Sequence, residues 1–159
     1  MKYLSSYKSP LGFLQLNSDG LSITGIAFSD EEIKVKTNCA VLNQCELQLD
    51  DYFCGKGMGF DLPLKPAGTE FQKKVWAELL KIPNGETITY FELAVRLGDP
   101  KLVRAVGTAN GRNPLAIVIP CHRVIGAGNK LTGYSGGLRR KLWLLEHEIK
   151  YIPSKLALF

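Results

Sequence analysis

A thiol next to an imidazole is the first chemistry this chain offers. Cys121 and His122 stand in Pro120-Cys121-His122-Arg123-Val124, behind the apolar run Leu115-Ala116-Ile117-Val118-Ile119 and ahead of Gly126-Ala127-Gly128-Asn129. A proline that restricts the backbone, led in by side chains that seek burial, would hold both groups in fixed geometry away from water, as a nucleophilic cysteine requires. By itself a Cys-His dipeptide is a weak signal, because adjacent side chains seldom point the same way and an unpaired cysteine is usually a small buried hydrophobe. The other cysteines, Cys39, Cys45 and Cys54, lack such surroundings and read as structural. No two of the four form a C-x-x-C pair, and neither histidine, His122 or His147, lies near the first three. Neither a metal site nor a disulfide framework is expected, and no cofactor is implied.

The elements that must position this pair follow from composition and pattern. At 159 residues, 45% hydrophobic and 22% charged, the chain suits one good core or two small domains of a globular protein. No apolar run approaches the ~18 residues that span a bilayer, and the N-terminal residues carry no secretion pattern, so a cytoplasmic protein without membrane association is expected. Charge is uneven: residues 1–85 hold 9 Lys/Arg against 10 Asp/Glu, net −1, and residues 86–159 hold 11 against 5, net +6. The basic half is the half with Cys121, which points to a polyanionic partner there.

Residues 2–29 alternate short apolar runs with turn formers and predict a three-stranded antiparallel meander. Leu42, Cys45, Leu49 and Tyr52 or Phe53 recur at helical spacing before Cys54-Gly55-Lys56-Gly57, and Pro63 to Gly68 reads as a connector. Beyond Gly68 the pattern is helical. Thr69-x-x-Gln72 is a capping box, opening a helix with Phe71, Val75, Leu79 and Ile82 on its apolar stripe. Thr89-x-x-Glu92 caps a second helix, closed by Gly98, and Asp99 caps a third with Pro100 at its first position. Two short helices joined by a glycine-bearing turn make a helix-turn-helix outline. In the second of them Leu102, Ala105 or Val106, and Ala109 face one way, and Lys101, Arg104 and Thr108 the other. Gly107 suggests close approach of another backbone. A last helix, Leu138 to Glu148, is expected to bury Leu138, Leu142 and Leu145, with Glu148 a full turn beyond Leu144 and placed to be drawn toward the core. The fold class is therefore α+β: a small N-terminal α/β domain, residues 1–66, and an all-α domain, residues 67–159.

The longer string is more specific than the dipeptide. PCHRV, preceded by Asn113-Pro114 and followed by Gly133-Tyr134-Ser135-Gly136-Gly137, resembles the active-site signature of the O(6)-alkylguanine-DNA alkyltransferases. The similarity runs in consistent order from about Gly68 to Glu148, and more loosely through the meander, which the resemblance makes ribonuclease H-like. It implies that Cys121 takes the alkyl group from the guanine oxygen in one irreversible displacement, leaving O(4)-alkylthymine open as a second substrate. His122 matches the base that works through a water, and Glu148 the carboxylate that orients it. Tyr90 matches a phenol that donates to the leaving guanine, Ser135 a donor near its oxygen, and Asn113 the residue tying the turn before PCHRV. Val124 falls where a backbone carbonyl accepts from the exocyclic amine, with Tyr134 and Lys141 on further substrate-binding positions.

The same resemblance makes double-stranded DNA containing alkylated guanine the partner of a monomeric protein. Arg104 matches the arginine that fills the base stack when the nucleotide is flipped out. Lys101, Ala105, Gly107 and Thr108 would lie with it against the minor groove, where small residues permit close approach. The N-terminal region lacks the zinc ligands of some members and the chain lacks a second repair domain, as in the short stand-alone type, while Asn110 and Arg112 occupy variable positions. Two rivals are a cysteine hydrolase built on Cys121, His122 and Glu148, whose thioester would turn over, and a DNA-binding protein without chemistry, which would leave PCHRV unexplained.

Overall fold

The computed structural model describes residues 2–34 and 37–151. It divides into two compact units, the first holding residues up to Ala67 together with Pro114–Val118, the second Gly68–Asn113 and the chain from Ile119 onward. Residues 152–159 lie outside the described residues.

In the first unit β1 (Tyr3–Ser9), β2 (Gly12–Ser18) and β3 (Ile23–Ser29) form the antiparallel meander in sequence order. The Asp19 carboxylate shapes the second turn by accepting from the Leu21 and Ser22 amides at 2.9 and 2.8 Å. One face of the sheet buries Leu14, Leu16 and Ile26, and Leu16 and Ile26 stand opposite each other across β2 and β3. Packed with the sheet is α1 (Ala40–Cys54), which buries Leu42, Cys45, Leu49 and Tyr52 and ends at Gly55 in the left-handed conformation that glycine adopts without penalty. Burial pushes the Cys45 thiol up to about 12, which leaves it chemically inert. Cys39 is buried as well, whereas Cys54 is exposed.

The stretch read as a connector pairs with the sheet. Ile23 donates to the Pro63 carbonyl at 2.8 Å and accepts from Lys65 at 2.9 Å, bridging β3 to Leu64 in parallel. Further along the same strand, Ile26 bridges to Leu115 through bonds with Pro114 and Ala116 at 2.9 and 3.0 Å. Directly after, the Val118 amide donates to the Ala116 carbonyl at 2.8 Å around Ile117, whose φ is 72°. A γ-turn of this positive-φ kind at a β-branched residue stores on the order of 1–3 kcal/mol of strain and persists only where the surroundings impose it. Burial of Leu115, Ala116, Ile117 and Val118 supplies that constraint.

The second unit opens with α2 (Glu70–Leu79) behind the expected capping box: Thr69 Oγ1 accepts from the Gln72 amide at 3.1 Å, and Gln72 Oε1 from the Thr69 amide at 2.9 Å. Val75, Leu79 and Ile82 are buried as the spacing predicts, although Phe71 is only half-buried. The largest buried side chain is Trp76, off the expected stripe, with its indole N–H donating to the Ala109 carbonyl at 2.9 Å. A two-residue strand β4 (Ile88–Thr89) precedes α3 (Tyr90–Arg96), where Thr89 Oγ1 accepts from the Glu92 amide. Asp99 caps the next element as expected, but Pro100–Leu102 run as a 3-10 turn before α4 (Val103–Gly111) begins. Strand β5 (Val124–Ile125) pairs in parallel with β4, so the unit is helical apart from this short ladder. α5 (Leu138–Lys150) closes it.

Two expectations need correction, and one alternative left open is decided. Leu138 and Leu142 are 47% and 43% exposed: α5 buries Leu145 and Glu148 as expected, but with Lys141, Leu144 and His147 beside them rather than those two leucines. In α4 it is Val106 that is buried, and Ala105 joins the exposed face. At Gly107 no backbone presses close; a Cβ there would meet only the Tyr90 ring, at an ordinary 3.8 Å. No helix among the described residues is long and apolar enough to cross a membrane.

The glycine that matters for packing is Gly68, where a Cβ would lie 2.5 and 2.6 Å from the Trp76 ring. Because Trp76 is itself anchored to Ala109, Gly68→Ala is expected to cost about 1–3 kcal/mol, lowering the melting temperature by about 2–4 °C per kcal/mol. Thermal melts of the two proteins check this, and an unchanged midpoint would show that the indole moves freely.

Candidate active site

Backbone hydrogen bonds set Cys121 before any side chain does. The Cys121 amide donates to the Ile119 carbonyl at 2.8 Å around Pro120 (φ −82°, ψ 63°), an inverse γ-turn that leads into a 3-10 turn over Cys121–Arg123. The Ile119 carbonyl also accepts from Asn113 Nδ2 at 2.7 Å, and Asn110 Nδ2 donates to the Cys121 carbonyl at 3.3 Å. Both amides thus reach from the end of α4 and beyond it to the residues around the thiol.

His122 and Glu148 meet from positions 26 apart, imidazole Nε2 to carboxylate Oε2 at 2.8 Å, and neither side chain is exposed. Arg123 grips the same carboxylate in bidentate fashion, Nε to Oε1 at 2.8 Å and Nη2 to Oε2 at 3.0 Å. Its remaining donors go to the Ile82 carbonyl at 2.6 Å and to Asn84 Oδ1. Burial alone would raise the Glu148 pKa, but the facing positive charge and the hydrogen bonds from His122 and Arg123 outweigh it and hold the carboxyl well below the usual range. An ionised carboxylate only accepts, so Nε2 carries the proton, and in the neutral ring Nδ1 is the lone-pair nitrogen. That Nδ1 is buried and has no protein partner.

Cys121 is 3% exposed, and burial pushes its thiol up, opposed by the Asn113 side-chain hydrogen bond and the Lys141 charge. A resting thiol of this kind needs a base at the moment of attack. Lys141, fully buried, gives its three protons to the carbonyls of Val124, Thr132 and Gly133 at 2.6, 2.9 and 3.3 Å. Burial pulls its pKa down to about 8, and the Cys121 charge pulls the other way. Tyr90 follows β4 directly, across the ladder from Val124–Ile125, and its hydroxyl donates to the Thr132 carbonyl at 3.1 Å. Burial raises the Tyr90 phenol, while Thr132 and Asn110 act to lower it. Tyr134 is raised further, by burial first and then by the charges of Cys121 and Glu148.

Of the residues singled out in the sequence, Cys121, His122, Glu148, Asn113, Tyr90, Val124, Tyr134 and Lys141 are therefore gathered around one thiol. Ser135 is exposed on the adjoining segment. Lys101, Arg104, Ala105 and Thr108 lie exposed on α4 and its leading turn, with Gly107 half-buried among them. Sequence reading missed Asn110 as a site residue and Arg123 as the carboxylate's partner. For Arg123 a signal existed: an arginine inside an apolar stretch is seldom buried without a carboxylate to meet it.

The descriptions of two family models cover most of the chain: the DNA-binding domain of 6-O-methylguanine DNA methyltransferase over residues 70–150, and its ribonuclease-like domain over residues 2–66. The chain belongs to this family. A methylated-DNA–protein-cysteine methyltransferase of Methanosarcina acetivorans is 45% identical over 92% of this chain and 97% of that protein. The crystal structure of Mycobacterium tuberculosis O6-methylguanine methyltransferase superposes with a TM-score of 0.87 at 43% identity, covering 100% of this chain and 99% of that one. A structure of the Mycobacterium tuberculosis protein in complex with DNA is similar over 98% of both chains, with 44% identity and a TM-score of 0.86.

The carboxylate cluster has a measurable signature in acid. Glu148 has a folded pKa below the ~4.3 of an unfolded glutamate, so its contribution to stability is complete above that value and is lost as pH falls toward the folded one. Unfolding followed against pH should therefore weaken steeply below about pH 4.3, and Glu148→Gln should flatten that acid limb. At neutral pH the same substitution should cost about 3–5 kcal/mol, because the Arg123 guanidinium is left buried without its anion. An acid limb identical in both proteins would mean that Glu148 is not the charged centre of the site.

Proposed function

We propose that the protein repairs DNA by moving the alkyl group of O(6)-alkylguanine onto Cys121, once per molecule. The observation that carries the reading is the buried Cys121 beside an imidazole whose Nε2 is tied to an ionised Glu148, leaving Nδ1 as acceptor. In this reading Sγ attacks the alkyl carbon as the bond from that carbon to the guanine oxygen breaks, and the electron pair leaves with the base. The thiol proton passes to His122 Nδ1 through a bridging water, while Tyr90 donates its proton to the departing guanine. Return of the histidine proton to Tyr90 completes the balance: thiol and alkylguanine become thioether and guanine. A thioether offers water no cleavage route, so the reaction is stoichiometric, unlike that of a cysteine hydrolase.

Residues 67–159 are proposed as the DNA-binding and alkyl-transfer domain, and residues 1–66 as an N-terminal α/β domain. The exposed face of α4, with Lys101 before it, would lie against the minor groove, and Arg104 would occupy the stack once the base is extruded. Ser135 and Tyr134 would line the base, and the Val124 carbonyl would accept from it. A monomer acting in the cytoplasm is the proposed setting, where a reactive thiol stays reduced.

Incubation with DNA containing O(6)-methylguanine should raise the intact mass by one methyl, mapped to Cys121, with no product beyond one equivalent. Cys121→Ala should abolish transfer and retain DNA binding, which rests on phosphate contacts. Multiple turnover would instead favour the hydrolase. Arg104→Ala should slow reaction with duplex DNA far more than reaction with the free alkylated base, since only the duplex requires extrusion. Equal slowing on both substrates would place Arg104 in base binding rather than in the stack.

A further inference from the structure

Within the site, one buried group has its hydrogen-bonding capacity only half used. Asn110, on the last turn of α4, is 3% exposed. Its Nδ2 donates to the Cys121 carbonyl at 3.3 Å, and its side chain hydrogen-bonds the Tyr90 phenol as well, yet its Oδ1 is buried with no donor to meet it. Exchanging the amide's two ends gives no relief, because Oδ1 would then face the Cys121 carbonyl, acceptor against acceptor. Nor can the neighbours supply a proton: Lys141 spends all three of its own on carbonyls, and the Tyr90 hydroxyl is given to Thr132. A buried acceptor left unmet is costly, so the position favours a ligand that brings an N–H.

We propose that Asn110 reads the exocyclic amine of the target base and so makes the site selective for alkylated guanine. The inference rests on the alkyl-transfer reading above. Alkylation at the guanine oxygen removes the ring N1 proton, and the exocyclic amine then holds the only N–H donors on that edge of the base. One of these can go to the Val124 carbonyl, which retains a lone pair beyond its bond to Lys141. The other meets Asn110 Oδ1, beside the phenol and the nucleophile's own carbonyl. An O(4)-alkylated thymine has no ring or exocyclic N–H and leaves Oδ1 unmet. Asn110 is thus a specificity-determining residue: it rewards a purine with the amine and penalises any base without it.

The test is a cycle that deletes each partner. Single-turnover transfer to Cys121 is measured on duplexes identical but for O(6)-methylguanine or O(6)-methylhypoxanthine, which differ only in the exocyclic amine, with the native protein and with Asn110→Leu, a substitution of similar shape. The native protein should prefer the amine-bearing base by about tenfold or more, as befits one buried hydrogen bond with its unmet alternative. In Asn110→Leu the preference should shrink toward the part owed to Val124, whatever rate both duplexes lose together from the missing bonds to the Cys121 carbonyl and the Tyr90 phenol. A preference of the same size in both proteins overturns the proposal. Asn110→Ala carries the same cycle if the leucine variant does not fold, and a native protein indifferent to the amine overturns the proposal whatever the variants do. Failure of the native protein to take any methyl from O(6)-methylguanine would instead refute alkyl transfer itself.

Discussion

A carboxyl group with no exposure to water is ordinarily protonated, and Glu148 remains charged because Arg123 meets both of its oxygens while His122 donates to one of them. From that charge the rest of the site follows. A protonated Glu148 could itself donate to Nε2 and would let the imidazole carry its proton on the opposite nitrogen, leaving Nδ1 without a lone pair to accept with. Ionised, it fixes the tautomer in which Nδ1 has the lone pair. Arg123 is in turn held by Ile82 and Asn84, residues beyond the end of α2, so the loop after that helix helps to hold the carboxylate that fixes the histidine tautomer.

Counting charges shows why the thiol can ionise during attack although burial resists it at rest. One carboxylate is set against two cations, Arg123 and Lys141, and the site is left with a positive excess that a thiolate would neutralise. Lys141 serves geometry at the same time. Its three bonds tie β5 at Val124 to the segment at Thr132 and Gly133, and that segment also receives the Tyr90 hydroxyl. One buried ammonium therefore links the wall of the site to its electrostatics, and replacing it with a neutral side chain would disturb both together.

What could be read in the sequence was mostly local. Caps at Thr69, Thr89 and Asp99 announce themselves because the signal and the hydrogen bond lie within three residues of each other. The meander is similarly legible from alternation and turn formers. The orientation of α5 was legible only in part: Leu145 and Glu148 face inward as expected, but Lys141 and His147 do so in place of Leu138 and Leu142, and hydropathy places such residues outside unless their partners are known. Those partners, Val124, His122 and Arg123, come from distant parts of the chain. Asn110 escaped for the same reason, as nothing in its immediate neighbours says that an asparagine will be enclosed. The pairing of His122 with Glu148 was available only through family resemblance, because no spacing rule links residues 26 apart.

The five residues Pro114–Val118, which complete the edge of β3, have a bearing on how the protein is made. Emerging from the ribosome N-terminus first, the chain has β1, β2, β3 and α1 available early, with Leu64 soon able to cover one end of β3 at Ile23. The Ile26 end must wait for Leu115, and by then α2, α3 and α4 have already been synthesised. Throughout that interval an apolar strand edge stands open, the kind of surface that pairs with other nascent chains. The strained turn at Ile117 draws its constraint from the same burial, so it too waits for residues 114–118, and Cys121 follows close behind in the chain.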